Sequence, residues 1–375
     1  MMGSRRISKK SFEHYCELMG LSDQQRESAK AMFEGYQSAC GAANTEHRAE
    51  IEKLNKQAQE EEDHSIFMEK MPEIMGKHQT KTRKLDDDFL ADLKLVGSAD
   101  TTADARWERV ERARRRDSLL RLAAMSGEGI DLAEVVRDFK LAEAELAAVQ
   151  GELLEYEAEL DKHLVAKESM MDRQDKEAVK PANGEFDIAK MQERMAEMRE
   201  VGAKIKETNE KHARKVADLL PEDRRAPFAK LVRARSFPRV YKDSKVARDM
   251  SAAMNLPDLT ANQRESLAAL KASYERDVSP INEAWASAIE AKEKDGQSGM
   301  IAAGGAMMMM DFGDEPEAIA TAKKSKKDLD KNTRERFDQI LTPEQKEKLP
   351  KEPAEGEDGV PVMRQGGSLM IAPGR

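Results

Sequence analysis

The sequence predicts an all-α protein made of long antiparallel helical hairpins that resemble coiled coils, and three observations support this fold class. The 375 residues are 36% charged, 39% hydrophobic and only 5% aromatic, a balance typical of long helices with narrow buried seams. Apolar residues recur at spacings of three and four over long stretches of the chain. A helix-start motif also returns at intervals along the sequence.

The helix-start motif is clearest at residues 341–345. Thr342 is the predicted N-cap, whose hydroxyl accepts a hydrogen bond from an otherwise unpaired backbone N–H. Pro343 follows at the first helical position, where its missing N–H costs nothing. Gln345 can reach back to the backbone of Thr342 and close a capping box, while Leu341 can pack on the next turn.

We call this pattern the capping motif: a leucine, a Ser or Thr cap, and a glutamine three residues after the cap. Its two further copies are formed by Leu21, Ser22 and Gln25, and by Leu259, Thr260 and Gln263. A degenerate copy occupies residues 220–224, and Arg-Glu-Ser follows both the Leu21 and the Leu259 copies. One copy could be only a good helix cap worth about 1 kcal/mol. Recurrence of the motif with the same Arg-Glu-Ser sequence after it indicates a duplicated helical unit.

The capping motifs and the all-helical character resemble the Leu-Thr-x-x-Gln family of small helical envelope-stress proteins, which includes Spy, CpxP and ZraP. The resemblance implies a periplasmic or envelope location and a stress-response role. It also implies ATP-independent, chaperone-like holding of unfolded clients on an amphiphilic helical surface. Residues 1–10 are basic but lead into no apolar segment, so the sequence itself predicts no secretory signal.

The chain is predicted to hold three tandem helical units followed by a tail. The expected boundaries are 1–126, 127–250 and 251–350, and residues 351–375, rich in Pro, Gly and acids, are expected to be disordered. Short packing helices are expected between the long hairpins.

In the first unit, a long helix is expected from Ser22 to about Glu62. A methionine-rich section follows, in which Pro72 is expected to break the helix. A return helix carries Leu85 and Phe89.

The second unit is predicted to open at residues 130–132. Its long helix shows the cleanest heptad of the chain, formed by Phe139, Ala142, Leu146, Val149, Leu153, Tyr156, Leu160 and His163. A loop is expected at residues 180–184, and the return helix closes at the degenerate motif.

The third unit is predicted to open at Leu259, with a helix kinked at Pro280. Residues 295–316, rich in Gly, Met and acids, are expected to form a loop. A return helix then reaches the motif at Leu341.

One candidate metal site follows from five residues on the first return segment. Their spacings place them on one face of an unbroken helix, and they are His64, Met68, Met71, Met75 and His78. Thioether and imidazole ligands together suit a soft metal such as Cu(I). The pattern favours the alternative, a methionine stripe that packs into the hairpin, so no metal site is assigned.

Methionine clusters near the predicted hairpin tips are candidate partner-binding residues. Methionine is flexible and polarizable, so exposed methionines can adapt to many partners. The candidates are Met191, Met195, Met198, Met307, Met308, Met309 and Met310. The alternative is that these side chains merely fill loose loops.

Several other classes of function lack the sequence features that they need. The sequence has no phosphate-binding loop with its lysine, no nucleophile elbow and no Cys-x-x-Cys pair, so we predict no enzymatic activity and no cofactor. The net charge of −9, with both signs interleaved, argues against nucleic-acid binding. No apolar run approaches the ~20 residues of a membrane helix. Cys16 and Cys40 are predicted to be free thiols.

Three functional hypotheses follow from these observations. The first is a helical envelope-stress or chaperone-like binding protein that presents apolar and methionine-rich faces to unfolded clients. The second is a structural coiled-coil scaffold or spacer that forms a homo-oligomer through the heptad of residues 139–163. The third is a soft-metal sensor.

Overall fold

The computed structural model describes residues 7–63, 65–97, 103–176, 188–294, 298–303, 306–311 and 315–350. It confirms the all-α class. The α-helices of the described residues are α1 Lys9–Leu18, α2 Asp23–Glu60, α3 Ser65–Gly97, α4 Ala103–Leu119, α5 Leu132–Phe139, α6 Glu143–Lys176, α7 Ile188–Leu219, α8 Glu222–Ser236, α9 Pro238–Tyr241, α10 Lys245–Ala253, α11 Ala261–Lys294, α12 Glu317–Ile340 and α13 Pro343–Glu347. A short 3-10 helix spans Leu120–Leu122.

One antiparallel β-hairpin interrupts the helical architecture. Its strands, β1 at Ser298–Ala303 and β2 at Ala306–Asp311, pair from Ser298 with Asp311 to Ala303 with Ala306. The prediction of a loop over residues 295–316 is therefore wrong for these two segments. Gly-Gly at 304–305 separates them in the sequence, and this dipeptide is typical of two-residue hairpin turns.

The chain divides into two compact units. The first comprises Met1–Tyr241 with Ala286–Ile319, and the second comprises Lys242–Trp285 with Ala320–Arg375. The division into three units of sequence remains a prediction, and its tail, residues 351–375, lies outside the described residues.

Contacts along the long helices show which of them pair and in which direction. The pairs run antiparallel, because residues further along one helix contact residues earlier on the other. These contacts join Gln25 to Val96 and Tyr36 to Asp86, Tyr156 to Asn209 and Arg173 to Glu197, and Gln263 to Ile340 and Tyr274 to Asp330. Helices α2 and α3, α6 and α7, and α11 and α12 therefore form the three pairs.

The capping motifs form as predicted and also join the two ends of a pair. Ser22 and Thr342 make complete capping boxes, and Gln263 accepts the backbone N–H of Thr260 at 3.0 Å. The amide of Gln25 donates to the carbonyl of Val96 at 2.8 Å. Gln263 donates to the carbonyl of Ile340 at the same distance. The glutamine thus ties the start of a long helix to the end of its return helix.

The second pair opens later in the chain than the sequence predicted. Asp131 caps the short helix α5, as Ser8 caps α1, so residues 130–132 do not begin the long helix. Helix α6 begins at Glu143, where the backbone N–H of Ala142 donates to Glu145 at 2.8 Å. Residues 141–145 thus form half of a capping box, with Ala142 in place of the Ser or Thr cap and Glu145 in place of the glutamine.

A buried tyrosine stands fifteen residues after the opening leucine of each pair, and its hydroxyl bridges two neighbouring elements. One contact is made at the start of the preceding short helix. The hydroxyl of Tyr36 accepts the N–H of Ile7 at 2.8 Å, and that of Tyr156 accepts the N–H of Leu132 at 3.0 Å. The hydroxyl of Tyr274 lies 3.0 Å from the hydroxyl of Ser244. The other reaches the return helix, at Asp86 (2.5 Å), Asn209 (3.1 Å) and Asp330 (2.7 Å). Burial raises the pKa of all three hydroxyls, so each keeps its proton for donation.

The same register extends through the apolar seams. Eight residues after the opening leucines lie Ala29, Val149 and Leu267, all fully buried. On the return helices, equivalent positions carry Leu93, Val216 and Phe337, which are also fully buried. A repeat of short helix, long helix and return helix therefore occurs three times with one common geometry.

Two prolines lie inside continuous helices. Pro72 falls within α3, so the predicted helix break there is wrong. Pro280 likewise lies within α11, which continues through it. The two cysteines are free, as predicted, and both are buried.

We expect Tyr156→Phe to lower the free energy of unfolding by about 1–3 kcal/mol. The change leaves the buried backbone N–H of Leu132 and the side-chain oxygen of Asn209 without the tyrosine hydroxyl as their hydrogen-bond partner. Chemical denaturation followed by circular dichroism measures the change. Thr45→Val is the matched control, since it removes an exposed hydroxyl bonded to the Gly41 carbonyl at 3.0 Å. Equal effects of the two variants would contradict a structural role of the tyrosine bridge.

Candidate functional site

In each pair we call the end where the long helix finishes and the return helix begins the outer part, and the opposite end the inner part. The outer part of the α2–α3 pair carries a stripe of partly exposed apolar side chains. We call it the open face, and its members are Ile51, Phe67, Met71, Ile74 and Met75, each half-buried. The four α3 residues follow one another at spacings of four, three and one, which places them on one side of the helix. Leu54 and Ala58 lie beneath, buried between the two helices.

The inner part of the same pair packs against two further helices. There α2 and α3 join a core with α1 and α4 in which Phe12 stacks on Phe33 at 4.3 Å between ring centroids. The contributions of the pair to this core stop at Cys40 on α2 and at Leu85 on α3. Residues of the open face lie further out along both helices. Two helices can bury only the middle of an apolar stripe, which explains why its edges remain exposed.

Two histidines mark the boundary between the covered and open parts. The rings of His47 on α2 and His78 on α3 stack at 4.1 Å between centroids with an angle of 9°. Burial lowers the pKa of His78, the neighbouring His47 lowers it further, and Lys81 adds to the effect. Glu46 and Glu50 act in the opposite direction but do not outweigh these causes.

The structure brings only part of the candidate metal set together. Met71, Met75 and His78 share one side of continuous α3, whereas His64 and the side chain of Met68 lie outside the described residues. Within the described part of the chain, no group of three or more His, Cys, Asp or Glu side chains is arranged to hold a metal ion.

The predicted partner-binding methionines do not form an exposed cluster on α7. Met195 is 2% exposed and Met198 is 0% exposed, so neither side chain is available to a partner in this conformation. Met198 belongs to a core that includes Met170 and Met171 on α6, and β1 contacts both helices of this pair. The side chains of Met191 and of Met307, Met308, Met309 and Met310 lie outside the described residues.

The heptad residues proposed for self-association pack against another helix of the same chain. Its members Val149, Leu153, Tyr156 and Leu160 are buried in a core that includes Val216 on α7. Leu146 stays 43% exposed, while Phe139 and Ala142 precede the helix. The seam therefore closes against α7, a distinction that periodicity alone could not make.

A cleft of about 320 Å³ lies between α7 and α8, within the first unit. Three of its charged side chains, Lys206, Arg233 and Glu290, have partners of their own. Arg233 binds Glu290 at 2.6 Å, and Lys206 contacts Ser126 Oγ at 3.1 Å and Glu293 at 3.2 Å. This pairing favours a role in joining elements over ligand binding.

A buried ion pair next to this cleft also has a structural explanation. Glu128 and Lys167 are both fully buried and lie 2.6 Å apart. Lys167 donates further to the carbonyls of Leu119 and Leu122, and Glu128 accepts the N–H of Ala124 at 2.7 Å. The two charges thus neutralise each other and bond to backbone groups at the end of α4 and in the turn that follows it. Such pairing and hydrogen bonding are what buried charges require.

The open face is therefore the candidate functional site. The sequence identified Met71 and Met75 but assigned no role to Phe67 or Ile74, although their spacing from the methionines was visible. Comparison of the chain with family models, with curated proteins and with solved structures gives no match. Among the described residues, no helix is both long enough and apolar enough to cross a membrane.

We expect His47→Gln to raise the pKa of His78, because it removes a second imidazole that disfavours the charged ring. The folded-state pKa of His78 lies below its ordinary value of 6.5, so the unfolded chain binds the proton first. The stability contributed by this residue is therefore present at neutral pH and lost as the pH falls through 6.5.

NMR titration of the imidazole C–H resonances measures this pKa. His163→Gln, on α6, is the control and should leave the His78 midpoint in place. A His78 midpoint that stays unchanged in His47→Gln would show that the stacked pair does not set this pKa.

Proposed function

We propose that this chain is a non-enzymatic, chaperone-like binding protein that holds apolar segments of other polypeptides on the open face. The observation that carries the proposal is the contrast along one helix pair. Its inner part is packed against α1 and α4, whereas its outer part presents a half-exposed stripe of Phe, Met and Ile. Burial of the remaining apolar area against a partner would supply the binding free energy, at about 25 cal/mol per Å².

The side chains of the open face suit partners of varied sequence. Met71 and Met75 have several rotatable bonds and a polarizable sulfur, so they can repack around different side chains. Phe67 adds a large apolar surface beside them. Lysines and glutamates flank the stripe, among them the exposed ion pair of Lys77 with Glu73 at 2.7 Å. Such a rim keeps the unoccupied protein soluble.

The resemblance to the Leu-Thr-x-x-Gln family supports the same proposal. Capping motifs at Leu21, Leu259 and Leu341 are what the two share. A periplasmic or envelope location and a stress-response role belong to this proposal and rest on that resemblance.

We expect the protein to suppress aggregation of a denaturant-unfolded model enzyme at near-stoichiometric ratio and without ATP. Light scattering after dilution of the enzyme measures the effect. Ile74→Glu should weaken suppression several-fold, because it places a charge where apolar segments would be buried. Failure to suppress aggregation at an excess of protein would rule the proposal out.

Leu95→Glu provides the matched control. Leu95 also lies on α3 and is 71% exposed, but it belongs to the inner end of the pair. The same apolar-to-acid change there should leave suppression intact. Loss of suppression in Leu95→Glu alone would keep the binding function but move it away from the open face.

The scaffold hypothesis has less support. A homo-oligomer formed through the heptad needs those apolar residues on the surface, and Val149, Tyr156 and Leu160 are fully buried within the chain. Leu146 and Leu154, each 43% exposed, are the α6 leucines left for such a contact. A stable oligomer in light scattering, dissociated by Leu146→Asp, would favour the scaffold instead.

A further inference from the structure

We propose that the open face binds its partner segments in an extended conformation, laid along the α2–α3 pair as β1 lies along α6 and α7. This inference rests on the proposed binding function. It specifies the conformation of the bound segment and the surface on which it lies. It commits to one kind of occupant: an uncharged, extended stretch of another polypeptide that combines small and apolar residues, as β1 does.

The α6–α7 pair shows how such a segment fits on a helix pair of this repeat. Strand β1, Ser298–Ala303, lies beside α7 and also contacts α6 within the first unit. Its sequence, Ser-Gly-Met-Ile-Ala-Ala, carries no charge and combines small with apolar residues. A strand is thus one of the elements that contact this helix pair, together with α4 and α8.

The common register of the repeat allows the two pairs to be compared residue by residue. Asp86 on α3 and Asn209 on α7 are equivalent, since each contacts the bridging tyrosine of its pair. Met75 and Met198 each lie 11 residues before these positions, so they are equivalent too. Ile51 on α2 and Met171 on α6 are equivalent, because each lies 30 residues after the opening leucine of its pair, Leu21 or Leu141. The two α6–α7 residues are 0% and 7% exposed, whereas both α2–α3 residues are half-buried. Equivalent positions are therefore buried in the pair that has an accompanying strand and partly exposed in the pair for which none is described.

The dimensions and charge of the open face match the same occupant. From Phe67 to His78, the histidine at its inner boundary, the open part of the pair extends about 16 Å along α3, at about 1.5 Å per residue. An extended segment of five or six residues covers about 17–20 Å. The flanking charges have both signs, with Glu46 paired to Lys81 and Glu73 paired to Lys77, so they favour no net charge on the occupant.

The test uses the full chain and a fluorescein-labelled peptide with blocked ends and the sequence Gly-Ser-Gly-Met-Ile-Ala-Ala-Gly. Fluorescence anisotropy measures its affinity for the wild-type chain, for Ile74→Glu and for Leu95→Glu. We expect Ile74→Glu to weaken binding about tenfold or more, because a charge would be buried against an apolar segment, and Leu95→Glu to change it less than about twofold. Met71→Gln, a milder change, should weaken binding without altering the helix content measured by circular dichroism.

Two further measurements address conformation and place. Transferred nuclear Overhauser effects should show strong contacts between each Hα and the next amide proton, as in an extended chain, and weak contacts between successive amide protons. A benzophenone at the peptide end should crosslink to residues 47–58 or 67–78. Helical contacts in the bound peptide, or crosslinks confined to α6 and α7 or to any other surface, would overturn the inference.

The outcomes separate this inference from the function on which it rests. Suppressed aggregation together with a helical or displaced peptide would leave the binding function standing and remove the extended mode at the open face. Absence of both activities would remove both. Binding only of a second copy of the chain, seen as a concentration-dependent dimer that the peptide does not compete with, would also overturn the proposal.

Discussion

The tyrosine hydroxyl that bridges a short helix and a return helix is the interaction on which the repeat depends. Each of Tyr36, Tyr156 and Tyr274 makes one contact at the start of the preceding short helix and one on the return helix. The bridge fixes the register of three elements at once, and the apolar positions around it follow that register. Because it lies nearer the start of the long helix, it secures the inner end of each pair and leaves the outer end to local packing.

What happens at the outer end distinguishes the pairs within the first unit. Along α6 and α7 the outer methionines are buried, and β1 lies alongside. Along α2 and α3 the same part of the repeat has half-exposed Phe, Met and Ile side chains and a stacked pair of histidines. A single repeat geometry thus supports a closed core in one pair and an apolar surface in the other, which links the fold to the proposed binding of polypeptide segments.

Much of this architecture could be predicted from the sequence, because capping and helical periodicity are local. The caps at Ser22, Thr260 and Thr342 and the extent of α2 required nothing beyond neighbouring residues. The opening at Ala142 was missed since its cap lost the hydroxyl and only Glu145 remained. The hairpin of β1 and β2 and the burial of Met198 depend on which elements meet in space, and residue spacing does not contain that information. The tyrosine bridge was present in the sequence as a constant spacing of fifteen residues, but its role required the contacts.

The central claim is that the α2–α3 pair is secured at one end and open at the other. Native-state hydrogen exchange at neutral pH, followed residue by residue along α2, α3, α6 and α7, tests it most directly. We expect slow exchange near Tyr36 and Phe89, fast exchange around Ile51 and Met75, and slow exchange at the equivalent Met171 and Met198. Equal protection along the whole of α2 and α3, or faster exchange at Met198 than at Met75, would contradict it.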